Sequence, residues 1–282
     1  MQRKSDNNSD FLPLISVVIP SFNQGHFLSY ALDSIIIQDY PSCEIIVIDG
    51  GSLDETLNVI KRYEKSLNYW VSESDQGQSH ALNKGFSRAT GDIITWLNSD
   101  DAYCVGAFKR IAEVFNRCPH VDVVHGERIL INSANEVVGW TRQPCFDPSQ
   151  YGYNIFSETV FWRHTVMQRV SRVDESLEFA MDLDLFCRMY RDFKFKKLNH
   201  PLGYYRSHLD CKSARMIEVG MKEGQNRWHL YFGKDNHNFA IPAPISRLSH
   251  YFQSIRYPFL IFLPYIRFRT IKLLKRLLGK VS

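Results

Sequence analysis

Ile93-Ile94-Thr95-Trp96-Leu97 runs directly into Asn98-Ser99-Asp100-Asp101. The apolar run reads as a buried strand and the polar quartet as the loop at its mouth. Adjacent carboxylates at such a mouth are costly to hold unless a cation or dense hydrogen bonding compensates their charge. A hard cation such as Mg²⁺ or Mn²⁺ would do so and leave positions open for the oxygens of a diphosphate. A solvated acidic turn is the alternative, and the segments upstream weigh against it.

Those segments alternate strand and helix patterns. Ile15-Ser16-Val17-Val18-Ile19, ended by Pro20, is a short β-branched run and predicts a buried strand. Phe27, Ala31 and Ile35, with Leu28 and Leu32, recur at helical spacing. Glu44 to Ile48 predicts a second strand, closed by Asp49-Gly50-Gly51-Ser52. A helix follows with Asp54 as its cap and Leu57, Ile60 and Tyr63 on one face. Tyr69 to Val71 gives a third strand, Ser79 to Ala89 a third helix, and Ile93 to Leu97 the fourth strand.

This alternation specifies an α/β fold, a mostly parallel sheet flanked by helices. In such sheets ligands sit outside the carboxyl ends of the strands. Here those ends are Ser21 to Asn23, Asp49 to Ser52, Glu73 to Gly77 and Asn98 to Asp101, all polar or glycine-bearing. No GxGxxG follows the first strand and no GxxxxGK[ST] occurs, which disfavours dinucleotide and P-loop chemistry. A nucleotide diphosphate bound without those loops needs charge neutralisation from elsewhere, which returns the argument to Asp100.

The chain's 282 residues, 44% hydrophobic and 23% charged, suffice for one large α/β domain with an appendage. Residues 1–12 are read as a disordered N-terminus without the apolar core of a signal peptide. Six dispersed cysteines with no CxxC pair disfavour a zinc site or a disulfide framework and suit a reducing cytoplasm. The net charge of +4 is concentrated at the end: from Asn236 to Ser282 there is no acidic residue and there are eight Lys and Arg. Tyr257 to Ile266 is apolar but interrupted by Pro258 and Pro264, too short for the roughly 20 residues of a bilayer span. The region 213–282 is therefore expected to be a basic, amphipathic helical extension. It would lie on a membrane surface or dock on the domain or on a partner, and nucleic acid is disfavoured as its ligand.

Four motifs together resemble a family 2 glycosyltransferase: Val18 to Asn23, Ile48 to Thr56, Ser74 to Gly85, and Asn98 to Asp101. With the motifs that continue to about His208, the resemblance covers roughly three quarters of the chain. It implies a GT-A fold, a nucleotide-sugar donor, a divalent metal (Mn²⁺ or Mg²⁺) and inversion at the anomeric carbon. It places Pro20, Ser21 and Asn23 at the nucleotide pocket. Asp49 would accept a hydrogen bond from the imide of uracil or thymine, and Asp75, Gly77 and Asn83 would shape the ribose and phosphate side. Asp100 corresponds to the last carboxylate of the family's DxD element, the metal ligand. Asn98 stands at its first acidic position, beside the ribose, and Asp101 is a possible helper.

The same resemblance divides the chain into a nucleotide-sugar half, 13–120, and an acceptor half, 121–212. Ile155 to Arg163 resembles the segment that precedes the catalytic base. Leu183, Leu185, Arg188 and Met189 form a helical pattern with Asp182 in its first turn, where the helix N-terminus stabilises a carboxylate. Asp182 matches the base position, with Met181 where the family usually has Glu; Asp184 is the less favoured candidate. In Tyr204 to His208, His208 would complete the metal shell or touch the pyrophosphate, and Arg206 would pair with phosphate oxygens. Trp140, Trp162, Tyr151 and Tyr153 could stack on acceptor sugar or pack in the core.

The expectation is an inverting, metal-dependent transferase moving a sugar from UDP or dTDP to a hydroxyl of a glycan, in surface polysaccharide or lipid-linked oligosaccharide synthesis. It would work at the cytoplasmic face of the membrane. Two rivals are a nucleotidyltransferase, though Ser21 to Gly25 offers no basic residue, and a non-catalytic glycan- or membrane-binding module with a decayed site.

Overall fold

A computed structural model describes residues 12–151 and 155–233. The expected N-terminal disorder and most of the basic extension, 234–282, lie outside the described residues. Among the described residues no helix is long and apolar enough to cross a membrane.

The chain runs β1 (Ile15–Ser21), α1 (Gly25–Ile36), β2 (Cys43–Asp49), α2 (Thr56–Tyr63), β3 (Tyr69–Ser72), α3 (Gln78–Phe86), β4 (Ile93–Trp96) and β5 (Ala102–Tyr103). Then come α4 (Ala107–Arg117), β6 (Val123–Ile131), β7 (Val137–Thr141), α5 (Pro148–Tyr151), β8 (Phe161–Arg163), α6 (His164–Val170) and α7 (Met181–Asp192). The last elements are β9 (Phe195–Arg206), α8 (Lys212–Arg215) and α9 (Ile217–Phe232). The nine strands join one sheet of order β3-β2-β1-β4-β8-β6-β9-β5, with β7 paired to β6.

β3, β2, β1 and β4 are mutually parallel, so their carboxyl ends share one edge. β8 reverses direction against β4, and β6 and β9 then run parallel to each other. Strands from before and after residue 120 thus share one continuous sheet.

Every residue of β1 is buried because helices cover both faces of the sheet. Ile15, Val17 and Ile19 point to one face and pack with Leu28 and Leu32 of α1, Ile60 of α2 and Phe108 and Ile111 of α4. Val18 points to the other, with Ile48, Leu82, Trp96, Leu185 and Phe186. Each such aliphatic residue, fully buried, is worth about 1.5–3 kcal/mol.

One aromatic contact matters for the site. Trp96, at the end of β4, stacks on Phe186 of α7 with ring centroids 5.4 Å apart and planes 5° apart, and meets Trp162 edge-on at 5.6 Å. The strand carrying Asp100 and the helix carrying Asp182 are therefore locked together through the core. Trp140 and Trp162 are buried and belong to the core, while the side chains of Tyr151 and Tyr153 lie outside the described residues.

Candidate active site

The carboxyl edge of β1–β4 opens onto a cavity of about 960 Å³. Its donor-side wall includes Pro20 and Ser21 from β1, Gly50 after β2, Ser74 to Ser79 after β3, and Asn98, Asp100 and Asp101 after β4. Its other wall includes Arg128 and Leu130 from β6, Ile155 to Glu158, Met181 and Asp182 from α7, Tyr205 from β9, and Lys212 and Arg215 from α8. Asp100 and Asp182 face the same space.

The loops are pinned by hydrogen bonds between them. Asn23, at φ +52°, accepts the Leu53 N–H on Oδ1 at 2.9 Å and donates its own N–H to Ser52 Oγ at 2.7 Å. Asp49 is fully buried; its oxygens accept from Ser52 N (3.0 Å), Ser52 Oγ (2.5 Å) and Ser72 Oγ (2.7 Å). Asp54 accepts from Gly25 N and Thr56 N, both at 2.9 Å; the N-cap of α2 is Glu55, so Asp54 ties the start of α1 to the loop before α2 instead of capping α2 as the sequence predicts. Asn83 donates to Val173 O (2.9 Å) and Glu175 Oε1 (2.6 Å) and accepts from Val173 N (2.8 Å). Asn23, Asp49 and Asn83 stand outside the residues that line the cavity, and each braces the loops around it.

Asp75 and Gly77 do reach the wall. Asp75 Oδ1 accepts the Gly77 N–H at 2.8 Å, and Gly77 opens α3 at φ +114°, a conformation that favours glycine.

Around Asp100 the expected set divides. Asp100 Oδ2 lies 3.1 Å from His208 Nε2 and accepts from Gln24 Nε2 at 3.3 Å. That is a direct hydrogen bond between the two side chains, and about 3 Å is also the separation of neighbouring ligands of an octahedral cation at about 2.1 Å, so the two could hold one Mg²⁺ or Mn²⁺ in place of that bond. Asp101 is turned inward, accepting Arg206 N–H at 2.9 Å and Asn98 Nδ2 at 3.3 Å. Burial first, and then the charges of Asp100 and Glu158, hold its carboxyl well above the usual carboxylate range.

Arg206 also departs from expectation. It is fully buried, donates Nε to Asp100 O at 2.6 Å and Nη1 to Asn132 O and Asn135 Oδ1, and lies over Phe27 and Tyr30. It shapes the Asp100 loop from behind rather than gripping phosphate. Among the described residues, His26, Asp54 and Glu55 form the one group of three whose ligand atoms lie within 4.8 Å, but Asp54 is already spent on its loop.

Asp182 sits in the first turn of α7, where Oδ1 accepts the Leu183 N–H at 2.7 Å. Burial pushes its carboxyl up to about 6, opposed by that N–H and by the Lys212 charge. Such a group is mostly ionised near neutral pH yet more basic than an ordinary carboxylate. Asp184 faces away: it accepts from Arg188 Nε (2.9 Å) and Tyr231 OH (2.6 Å) and so ties α7 to α9.

Lys212, Gln78, Arg128 and Glu158 were not singled out in the sequence. Lys212 Nζ donates to Gln78 Oε1 at 2.9 Å, and Gln78 Nε2 donates to Asn98 Oδ1 at 2.8 Å. Asn98 therefore bridges a donor on one side and the Asp101 carboxylate on the other, a task its amide can perform and an acid could not. The signal for Glu158 was a carboxylate inside the apolar segment Ile155 to Trp162.

The profile of glycosyl transferase family 2 matches residues 16–198, and the chain belongs to that family. A glycosyltransferase of Nostoc sp. is 27% identical over 218 residues, 69% of this chain and 65% of the relative; one of Rickettsia prowazekii is 26% identical over 64% and 60%. The chain thus spans less than two thirds of the length of these two relatives. A PGL/p-HBAD biosynthesis glycosyltransferase of Mycobacterium bovis is 28% identical over 63% of this chain and 70% of the relative. Among solved structures, S. aureus TarS 1-349 in complex with UDP-GlcNAc superposes with a TM-score of 0.55 at 20% identity, over 78% of this chain and 73% of that one. The mannosyltransferase PcManGT of Pyrobaculum calidifontis, in complex with GDP-Man and Mn²⁺, gives 0.59 at 15% identity, over 93% and 74%. These likenesses show the shared GT-A fold.

Proposed function

We propose that the protein transfers a sugar from a nucleotide diphosphate to a hydroxyl of a glycan acceptor, with inversion. Support comes above all from one observation: Asp100 and Asp182 line the same cavity from opposite halves of the sheet. Inversion needs an acceptor oxygen, the anomeric carbon and the leaving phosphate in line, so base and leaving-group site must face each other across the sugar. Asp182, ionised at neutral pH, takes the proton of the attacking hydroxyl.

Among the described residues the cavity wall carries eight carboxylate side chains against three cationic ones. A diphosphate is repelled by such a wall unless a cation compensates it. Asp100 and His208 would hold a divalent ion, which when bound neutralises charge developing on the leaving diphosphate. Pro20, Ser21, Asp75, Gly77 and Asn98 would form the nucleotide side. The complexes of TarS with UDP-GlcNAc and of PcManGT with GDP-Man and Mn²⁺ support the same donor class, with UDP or dTDP favoured by the sequence reading. A lipid-linked or surface glycan as acceptor, met at the cytoplasmic membrane face, rests on the basic tail after Asn236.

Calorimetric titration of nucleotide diphosphates and their sugars, with Mn²⁺ and with chelator, tests the reading. Mn²⁺-dependent binding of one nucleotide sugar, with slow donor hydrolysis in the absence of acceptor, is expected. Binding without any hydrolysis or transfer would favour the non-catalytic module.

A further inference from the structure

Helix α7 carries Asp182 in its first turn, yet its N-cap residue is Ala180, whose side chain can accept no hydrogen bond. The acceptor comes from another helix. Glu223 of α9 collects three consecutive N–H groups just ahead of α7: Oε1 accepts from Glu178 at 2.9 Å, and Oε2 from Phe179 (2.9 Å) and Ala180 (2.8 Å). Bonds of this kind to a carboxylate are charge-assisted, the stronger class. Ala180 is held on its other side too, because its carbonyl accepts the Asp184 N–H at 2.9 Å.

The same face of α9 makes further ties, one helical turn apart. Arg227 reaches Asp174 Oδ2 at 2.8 Å and Asp184 Oδ1 at 3.3 Å, and Tyr231 donates to Asp184 Oδ1 at 2.6 Å. Trp228, 2% exposed, packs with Ala180, Leu183 and Cys187. Asp182 thus lies between two points fixed to α9, residues 178–180 before it and Asp184 after it. Glu223, Arg227, Trp228 and Tyr231 all stand outside the residues that line the cavity, so they act on it through α7. α9 begins at Ile217, beyond residue 198 where the family match ends, in the stretch the sequence reading gives to a surface extension.

We propose that Glu223 is a positioning residue for the base: by fixing the three amides ahead of α7 it sets where Asp182 stands in the cavity. The role rests on the glycosyltransferase reading with Asp182 as base. A base works only within hydrogen-bond reach of the proton it takes, and a misplacement of about 1 Å can cost about 10²-fold in rate. Without Glu223 the 178–180 amides turn to water and the start of α7 loosens.

The test measures release of nucleoside diphosphate from UDP-glucose, UDP-GlcNAc, dTDP-glucose and GDP-mannose in Mn²⁺, at a temperature where every variant is folded. Acceptor is left out, so that water takes its place and Glu178 and Phe179, which line the cavity, meet no acceptor sugar. On the donor that wild type hydrolyses, Glu223→Ala should lower kcat by about 10- to 100-fold and leave KM within about two-fold. Glu223→Gln should fall between Glu223→Ala and wild type, since its amide oxygen can still accept from Phe179 and Ala180 while its NH₂ cannot accept from Glu178. That variant also serves if Glu223→Ala does not fold. In an Asp182→Asn background, Glu223→Ala should change the residual rate little, because the group it positions is already gone. Amide hydrogen exchange at 178–180 should quicken in Glu223→Ala while that of β1 stays as in wild type.

A kcat within about two-fold of wild type in Glu223→Ala, or losses from Glu223→Ala and Asp182→Asn that multiply, would overturn the positioning role and leave the glycosyltransferase reading standing. A wild type that releases diphosphate from none of the four donors would overturn that reading and this role with it.

Discussion

The two walls of the cavity use polar side chains in opposite ways. On the donor side, Asn23, Asp49, Asp54 and Asn83 are spent on neighbouring loops, leaving backbone and a few side chains to meet a ligand. On the other side, Glu158 and Arg128 meet as a buried ion pair at 3.6 Å, with Arg128 set between the rings of Phe156 and Tyr205. One side is held by hydrogen bonds within its loops, and the other by an ion pair and ring contacts. Substitutions on the first should act through loop order and stability.

The largest effect on donor binding is expected at Asp100. Asp100→Ala should lose Mn²⁺-dependent donor binding and lower transfer by about 10²–10³-fold, the scale seen when one electrostatic stabiliser of a transition state is removed. Unchanged affinity with and without Mn²⁺ would show that Asp100 holds no cation.

Next comes pH. With its carboxyl raised to about 6, Asp182 must be ionised to accept a proton, so the transfer rate should fall about tenfold per pH unit below about 6. The stability effect has the opposite sign. Between the ordinary value of 3.8 and about 6 the folded protein holds a proton that the unfolded chain has released. That contribution is present at low pH and lost as pH rises through about 6. The Asp182→Asn variant should abolish this pH dependence in thermal melts.

Asn83→Ala should cost about 1–3 kcal/mol, since it strands the polar backbone of the 173–175 loop. Melting temperature should fall, with bare nucleotide affinity nearly unchanged. A selective loss of nucleotide affinity at unchanged stability would return Asn83 to the ligand. The smallest effect is expected from Asn98→Asp, which replaces the amide donor to Asp101 with a second acid. A destabilisation of about 1 kcal/mol is expected, growing as pH rises.

Sequence reading went furthest where the chemistry is local. The strand–helix alternation from Ile15 to Leu97 places four strand ends on one rim, and the helical spacing around Leu185 puts Asp182 in a first turn; the structure has both. Side-chain direction was not legible. Asp49 and Asp75 are both carboxylates in strand-end loops, yet one is buried under serines and the other lines the cavity. Arg206 reads as a phosphate ligand until its burial against Phe27 and Tyr30 is seen. Glu158 was hidden for the converse reason: its partner Arg128 is 30 residues away in sequence and meets it only because β6, β8 and β9 lie side by side.

The most direct test separates binding from chemistry at one atom pair. In Asp182→Asn, donor binding in Mn²⁺ should stay within a few-fold of wild type, while transfer falls by about 10³-fold or more, as expected when a general base is removed from a preorganised site. Transfer by that variant within a few-fold of wild type would contradict the account, because the proton of the attacking hydroxyl would then have another acceptor.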